Sequence, residues 1–389
     1  MNSYLPHPFI LLIGLAISVG TAHAQTATIE RVAGFENVQS FMSLAGDGTA
    51  FAVTLENSFF DREAVLVQAD GNIVSLGFGG ASMVSGISSD GSVVTFRDGG
   101  GESKIWRDGV ISDPPPPPAP FTSVSVEALS ADGRRIAGNV FQDSLRFWSY
   151  IADLDTGLFD VFPVSAISPF EVARVEDLSA DGSTIVGLGG TLFGGTGAIA
   201  RNDEGVRLLE GDPTDAFPFS VATAASANGD IVFGSTASLG RVDQLVRWEG
   251  GITQFLGAPG TVTAVSENGS RAVGTACLTA RMSCFASEVS ALYWTQSIGL
   301  RDLQTVLASE YGVEIPGFRM FRVGGISDDG LTMIGIGCLE SECDNLGQGG
   351  NGLFRVTLDT PIEVALPEPQ FGAQLAAGLL FAFGLARRR

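Results

Sequence analysis

A short turn motif recurs seven times along this chain and constrains its fold more than any other feature. Its clearest copy runs from Leu178 to Gly187, where an apolar residue and a serine lead into Asp-Gly and a β-branched pair follows. Asp and Gly tolerate the positive φ angles of tight hairpin turns, so this pattern predicts a strand, a turn and a second strand. The other copies end their turns at six further glycines: Gly48, Gly91, Gly133, Gly229, Gly269 and Gly330.

The spacing of these turns predicts a β-propeller. Successive turn glycines are 43, 42, 49, 47, 40 and 61 residues apart, and a period in the forties filled with strands is typical of propeller blades. A second turn signal, such as Glu249-Gly250-Gly251, divides the repeats into four strands each. We therefore expect an all-β fold, a single propeller of seven four-stranded blades over residues 25–365. Six or eight blades remain possible if the first or the longest repeat is miscounted.

Two irregular segments complete this prediction. The last repeat lacks a fourth strand, and the run Ile29–Gly34 has the same pattern as the fourth strand Ile252–Gly257, so we expect the N-terminal strand to close the ring. Residues Pro361–Ala365 compete for that place. The longest repeat contains an insertion with apolar residues at helical spacing, bounded by Asp302 and Gly312, which predicts one short helix on the propeller rim. The apolar residues of that helix are Leu300, Leu303, Val306 and Leu307.

Charge and residue usage exclude several classes of function. The net charge is -21 and Lys104 is the only lysine, so nucleic acid and anionic membrane surfaces are not expected partners. The only histidines, His7 and His23, lie in a segment that we predict to be removed. Without histidine, a Ser-His-Asp triad, a Cys-His pair and a His-ligated metal site are all excluded. No cofactor is expected.

The N-terminal segment, residues 1–24, has the features of a secretory signal peptide. An apolar run from Phe9 to Val19 is followed by a small-x-small site at Ala22-His23-Ala24. We predict cleavage between Ala24 and Gln25. An uncleaved membrane anchor is the alternative, but the apolar run is too short to span a bilayer.

The C-terminal segment, residues 366–389, combines three ordered features. Pro367-Glu368-Pro369 is rigid and extended, an apolar helix is predicted from Phe371 to Ala386, and Arg387-Arg388-Arg389 would hold its end on the cytoplasmic side. This arrangement resembles the PEP-CTERM sorting signal of Gram-negative bacteria that make exopolysaccharide. The resemblance implies transient insertion into the inner membrane, processing by an exosortase-like enzyme, and a final location at the cell surface or in the extracellular matrix. An ordinary membrane anchor is the alternative.

Four cysteines form two close pairs. Cys277 and Cys338 each follow a turn glycine by eight residues, with Cys284 and Cys343 nearby, so the pairs occupy equivalent loops of neighbouring blades. In an oxidising compartment the local bonds Cys277–Cys284 and Cys338–Cys343 are the simplest of three connectivities. A metal site is the alternative, although these spacings are wider than is usual for zinc ligands.

The shared residues of the repeat are expected to be structural. All four tryptophans occupy the third strand of their repeats, and we favour packing between blades over a row of sugar-stacking platforms. The turn followed by an aromatic-Trp strand, as at Arg146-Phe147-Trp148, resembles the HAF-type extracellular repeats, which bring no known chemistry. The tryptophans are Trp106, Trp148, Trp248 and Trp294.

The sequence therefore favours an exported, non-enzymatic propeller with a role in adhesion, scaffolding or binding. Its expected partners are extracellular polysaccharide or another surface protein. A carbohydrate-active enzyme is the alternative, since glycoside cleavage needs only carboxylates, with a Tyr or Arg assisting. Two Asp or Glu carboxyl groups facing each other across an apolar-walled cleft at one face of the ring would favour the enzyme.

Overall fold

A computed structural model describes most of the predicted repeat domain. The described residues are 25–36, 38–58, 61–142, 147–162, 172–190, 196–203, 205–209, 219–237, 244–277, 289–340, 343 and 351–361. They form seven four-stranded antiparallel sheets, which confirms the predicted propeller and its number of blades. The N-terminal segment 1–24 and the C-terminal segment 362–389, including the predicted apolar helix, lie outside the described residues.

Each of the first six blades uses four consecutive strands, ordered from the innermost to the outermost. Blade 1 contains β2 (Val38–Leu44), β3 (Phe51–Ser58), β4 (Asp61–Val67) and β5 (Ile73–Gly79). Blade 2 contains β6 (Met83–Ile87), β7 (Val93–Arg97), β8 (Ser103–Arg107) and β9 (Val110–Ser112). Blade 3 contains β10 (Ser123–Leu129), β11 (Arg135–Phe141), β12 (Phe147–Asp153) and β13 (Phe159–Phe162).

The next three blades repeat this order. Blade 4 contains β14 (Val172–Leu178), β15 (Ile185–Gly190), β16 (Thr196–Asn202) and β17 (Gly205–Leu209). Blade 5 contains β18 (Phe219–Ala225), β19 (Ile231–Ala237), β20 (Gln244–Glu249) and β21 (Ile252–Phe255). Blade 6 contains β22 (Gly260–Val265), β23 (Arg271–Cys277), β24 (Val289–Thr295) and β25 (Gly299–Asp302).

Blade 7 joins the two ends of the repeat domain. It contains β26 (Phe318–Ile326), β27 (Thr332–Leu339) and β28 (Asn351–Leu358), and its outermost strand is β1 (Ala27–Glu36). Strand β1 pairs with β28 in antiparallel register from Ala27↔Leu358 onwards. The N-terminal strand therefore closes the ring, as the sequence predicted, and protects a sheet edge that would otherwise be exposed.

The recurring turn connects the first two strands of each blade. In blade 4 the Ser179 hydroxyl donates to Asp181 Oδ1 at 2.7 Å and accepts from the Thr184 N–H at 2.8 Å. The same pair of bonds occurs in the other five blades that carry serine at this position, whereas blade 1 has Ala45 there. The seven turn glycines have φ angles between 67° and 74°, the left-handed region that favours glycine. The shared Ser and Asp therefore build the turn, as expected.

The residue that precedes the Asp or Asn of each turn accepts a backbone hydrogen bond from the neighbouring blade. In blade 2 the Ser89 carbonyl accepts from the Asp47 N–H of blade 1 at 2.9 Å, and the Ser89 N–H donates to the Ala131 carbonyl of blade 3 at 2.8 Å. Equivalent bonds run from every blade to the next and return from Asp328 to the Gly46 carbonyl at 2.8 Å. Seven backbone hydrogen bonds thus form a closed ring at one end of the central channel. The carbonyls that accept them belong to Gly46, Ser89, Ala131, Ala180, Ala227, Glu267 and Asp328.

Apolar side chains fill the spaces between adjacent blades. Trp106 is buried between blades 1 and 2, Trp248 between blades 4 and 5, and Trp294 between blades 5 and 6. Trp148 is half-buried against the core between blades 2 and 3. The Trp294 ring makes an edge-on contact with Phe233, with ring centroids 5.1 Å apart. Packing between blades is therefore confirmed as the role of the tryptophans.

The inserted segment forms helix α1 (Leu303–Tyr311). Asp302 caps its N-terminus by accepting from the Thr305 N–H at 2.8 Å, and Gly312 ends it in the left-handed conformation, φ 66°. The helix buries its apolar face in the core between blades 6 and 7. Leu300, which we expected in the helix, pairs with Trp294 in strand β25 instead.

Candidate binding site in the central channel

A β-bulge in the innermost strands of blades 2 to 7 places one residue of each strand at the wall of the channel. In blades 2 to 7 the strand pairing skips the residue that lies six positions before the turn glycine, as between Val126 and Ala128. Met42 occupies the equivalent position of blade 1. We call these seven residues the bulge ring: Met42, Ser85, Glu127, Glu176, Thr223, Thr263 and Gly324, all of which line the channel.

The bulge ring separates two parts of the channel. The narrow part, about 240 Å³, extends from the bulge ring to the ring of turns and includes Gly46, Ser89 and Asp328. The wide mouth, about 820 Å³, extends from the bulge ring along the N-terminal halves of the innermost strands. Its wall is polar over much of its area and includes hydroxyl groups from Ser125 and Thr261. A small ligand therefore has space in the wide mouth, with the bulge ring as its floor.

Two glutamates of the bulge ring lie side by side on neighbouring blades. Glu127 of blade 3 forms an ion pair with Arg97 of blade 2, with 2.5 Å between Oε1 and Nη2. Glu176 of blade 4 forms an ion pair with Arg174 of its own strand, with 2.8 Å between Oε1 and Nε. Burial raises the pKa of Glu176, Arg174 opposes this, and the charge of Glu127 raises it further. The two carboxylates are thus electrostatically coupled, and each has an arginine partner.

Asp177 adds a third carboxyl group next to Glu176. Its Oδ2 atom accepts from the Ala225 N–H of blade 5 at 2.9 Å, so it bridges blades 4 and 5. Burial raises the pKa of Asp177 to about 7, against the lowering effect of its backbone hydrogen bonds. The equivalent residue in the other blades is small and carries no charge: Ser43, Gly86, Ala128, Ala224, Ala264 and Gly325.

The three hydroxyl groups of the bulge ring are engaged in hydrogen bonds within the protein, and that of Ser85 donates to Thr95 Oγ1 at 3.0 Å. Thr223 donates to the Val262 carbonyl at 2.8 Å, and Thr263 donates to the Val323 carbonyl at 2.6 Å. Both bonds connect one blade to the next. The acceptor oxygens of Glu127 and Glu176 are therefore the groups of this ring best suited to bind hydroxyl or amide donors of a ligand.

The structure tests part of the predicted cysteine pairing. Cys338 and Cys343 form a disulfide bond at the end of β27. Cys277 is also disulfide-bonded, and Cys284 lies outside the described residues. Within the described part of the chain, no group of three or more His, Cys, Asp or Glu side chains is arranged to hold a metal ion.

The residues of the two predicted addresses lie outside the described ranges, so these predictions remain open. They are Ala24 of the predicted cleavage site and Pro367, Glu368, Pro369, Arg387, Arg388 and Arg389 of the sorting signal. Gln25, the other residue of the cleavage site, is the first described residue. None of the helices in the described ranges is long and apolar enough to cross a membrane.

Sequence reasoning did not single out Glu127, Glu176 or Asp177. Their signal is present nonetheless, because they occur five or six residues before a turn glycine, where most repeats have small or uncharged residues. Aligning the repeats on that glycine reveals the acidic pair of blades 3 and 4. Their proximity becomes evident only with the order of the blades around the ring.

Comparisons with known proteins support the propeller architecture. No family model matches the chain, and no curated protein matches it. An oligogalacturonate lyase in complex with manganese has a similar structure, with a TM-score of 0.51 and 12% sequence identity over 85% of this chain and 90% of that chain. The β-propeller domain of the Trilobed protease from Pyrococcus furiosus, of open velcro topology, gives a TM-score of 0.50 and 10% identity over 85% and 99% of the two chains.

These likenesses establish the fold alone. At 10–12% identity they transfer no activity or ligand to this chain. Unlike an open ring, this propeller has its first and last blades joined by the hydrogen bonds between β1 and β28.

Proposed function

We propose that this chain is an exported, non-enzymatic propeller that binds a ligand in the wide mouth of its channel and acts in adhesion or scaffolding at the cell surface or in the exopolysaccharide matrix. The observation that carries the binding role is the pairing of Glu127 with Arg97 and of Glu176 with Arg174. Ion-paired carboxylates are held in fixed positions and accept hydrogen bonds well. Such groups recognise the hydroxyls of a ligand without transferring protons.

The sequence at both ends supports the location. A signal peptide ending at Ala24 would bring the chain across the inner membrane, and the segment from Pro367 to Arg389 would direct it to an exosortase-like enzyme. The disulfide Cys338–Cys343 is compatible with an oxidising compartment.

Cell fractionation tests the proposed export and sorting. Deleting residues 366–389 should leave the protein in the periplasm. Glu368→Gln, which replaces only the carboxylate by an amide, should have the same effect. Gln370→Ala, immediately after the motif, is the matched control and should leave the location unchanged. If the protein without residues 366–389 still reaches the cell surface or matrix, the sorting role proposed for this segment is wrong.

A second function, glycoside cleavage, is favoured by one specific observation. Asp177 and Glu176 both have raised pKa values, and Glu176 lies beside the carboxylate of Glu127. Glycosidases use a protonated carboxylic acid, the general acid, next to an ionised carboxylate. Hydrolysis of a panel of bacterial polysaccharides, lost in Glu176→Gln, would support this enzyme over the binding protein.

A further inference from the structure

Arg322 occupies an unusual position in the wide mouth. It lies on the innermost strand of blade 7, eight residues before the turn glycine Gly330, and lines the cavity. Blade 4 also has an arginine at this position, Arg174, which is paired with Glu176. The other five blades have uncharged residues there: Ser40, Met83, Ser125, Val221 and Thr261.

The guanidinium of Arg322 lacks a carboxylate partner within the described part of the chain. Its Nε atom is buried and forms no hydrogen bond there. Burial lowers the pKa of Arg322, and no neighbouring acidic group opposes this effect. Arg322 is half-buried, and partial removal of a charge from water without pairing it costs free energy, which an anionic ligand would recover. The rest of the chain offers acidic residues in excess, with 43 Asp and Glu against 22 Lys and Arg.

An adaptable side chain lies near Arg322 in the wall of the cavity. Gly324, two residues further along the strand, has no side chain, and Met42 of blade 1 fills that place, with its Cγ 2.0 Å from where a Cβ on Gly324 would lie. Methionine is unbranched and adapts its shape readily, so it can move aside for a ligand. The opposite wall of the same cavity carries Glu127 and Glu176.

We propose that the wide mouth binds an acidic saccharide, a uronic acid unit whose carboxylate pairs with Arg322 while its hydroxyls donate to Glu127 and Glu176. This rests on the proposed binding function and specifies its ligand. A planar carboxylate matches the two parallel N–H groups of a guanidinium. The two glutamates on the facing wall would repel a doubly charged phosphate more strongly than a singly charged carboxylate.

Calorimetric titration of the full chain tests this proposal. The probes are a short oligomer of glucuronic acid, the matching glucose oligomer as its neutral counterpart, and sodium sulfate as a simple anion. The uronate should bind, and Arg322→Met should weaken that binding at least about tenfold, since a charged hydrogen-bonded pair is lost. Arg301→Met is the matched control, because Arg301 pairs with Glu310 away from the channel, and it should leave binding unchanged.

The outcomes separate the two proposals. The two oligomers could bind with equal affinity, and Arg322→Met could leave that affinity unchanged. This result would overturn the proposal of an acidic ligand but not the proposal of saccharide binding. Sulfate binding without uronate binding would also overturn the acidic saccharide. Binding of neither oligomer would overturn both the acidic ligand and the channel as a saccharide site.

The stability of the same variants gives an independent readout. If Arg322 is kept for a ligand, Arg322→Met should raise the Tm of the free protein, because an unpaired, half-buried charge is replaced by an apolar side chain. Arg301→Met should change the Tm little, because surface ion pairs contribute little. A clear drop in Tm for Arg322→Met would show that the arginine stabilises the fold and would contradict a role reserved for the ligand.

Discussion

The carboxylate of Asp328 in blade 7 accepts a hydrogen bond from the Ser89 hydroxyl of blade 2 at 2.8 Å. The bond passes over Gly46 of blade 1, whose carbonyl accepts from the Asp328 N–H at 2.8 Å. Three turns are therefore held together at the place where the chain closes its ring. The absence of a side chain at Gly46 makes this possible, because an added Cβ would lie 2.1 Å from both Asp328 Oδ2 and Ser89 Oγ.

Gly46→Ala is expected to lower the free energy of unfolding by about 1–3 kcal/mol, because the new methyl group displaces the Asp328–Ser89 bond and strains the closed ring. Urea unfolding measures this difference. Gly100→Ala is the matched control, since its added Cβ would approach only the Asp98 side chain, at 3.3 Å, and its effect should be small. Equal destabilisation by both variants would contradict the role assigned to Gly46.

Ser179→Ala is expected to cost about 1–3 kcal/mol of stability, because the buried Thr184 N–H loses its acceptor. Thermal unfolding followed by circular dichroism measures the effect. Ser183→Ala removes a hydroxyl that also donates to Asp181, at 2.7 Å, but leaves the Thr184 bond intact. That variant should unfold close to the wild-type temperature, and the prediction fails if Ser183→Ala is the more damaging change.

Asp177→Asn is expected to stabilise the protein at pH 8 and to have little effect at pH 4. The pKa of Asp177 is raised from 3.8 to about 7, so the folded protein retains a proton that the unfolded chain has already lost. Stability therefore falls as the pH rises from about 4 to about 7, and levels off above that. The asparagine can still accept from the Ala225 N–H and never ionises.

Urea unfolding at the two pH values measures the Asp177 effect. The gain at pH 8 should be on the order of 4 kcal/mol, because the pKa rises from 3.8 to about 7, while Glu176 contributes a smaller dependence of the same sign that the variant retains. A gain of equal size at pH 4 would mean that ionisation of Asp177 is not its cause.

Replacing the described disulfide, in Cys338→Ala with Cys343→Ser, should lower the free energy of unfolding by about 2 kcal/mol, because the unfolded chain is freed from a short closed loop. Guanidinium unfolding without reductant measures this loss. An unchanged midpoint would show that the bond does not contribute to stability.

Local chemistry explains which features of the fold could be predicted. The Ser-x-Asp-Gly turn depends only on residues that are close in sequence, so its recurrence predicted the number of blades. The pattern of Ile29–Gly34 predicted the strand that closes the ring. The helix ends at Asp302 and Gly312 followed from capping preferences. Leu300 was misplaced because helical spacing alone cannot reveal that it pairs with Trp294 in β25.

The site could not be predicted in the same way, because it depends on how blades meet. The seven backbone hydrogen bonds between turns require the angle between adjacent sheets, which no single repeat encodes. The pairing of Glu127 with Arg97 crosses from blade 3 to blade 2, and only the assembled channel shows that Arg322 has no acidic partner among the described residues. The two terminal addresses remain predictions from the sequence.

The most direct test of binding without catalysis measures both on one sample of the full chain with the glucuronic acid oligomer. Calorimetry should give saturable binding, and a reducing-end assay of the same mixture should detect no cleavage after prolonged incubation. Reducing ends that accumulate with the wild-type protein and stop accumulating with Glu176→Gln would contradict this account and make the channel an active site.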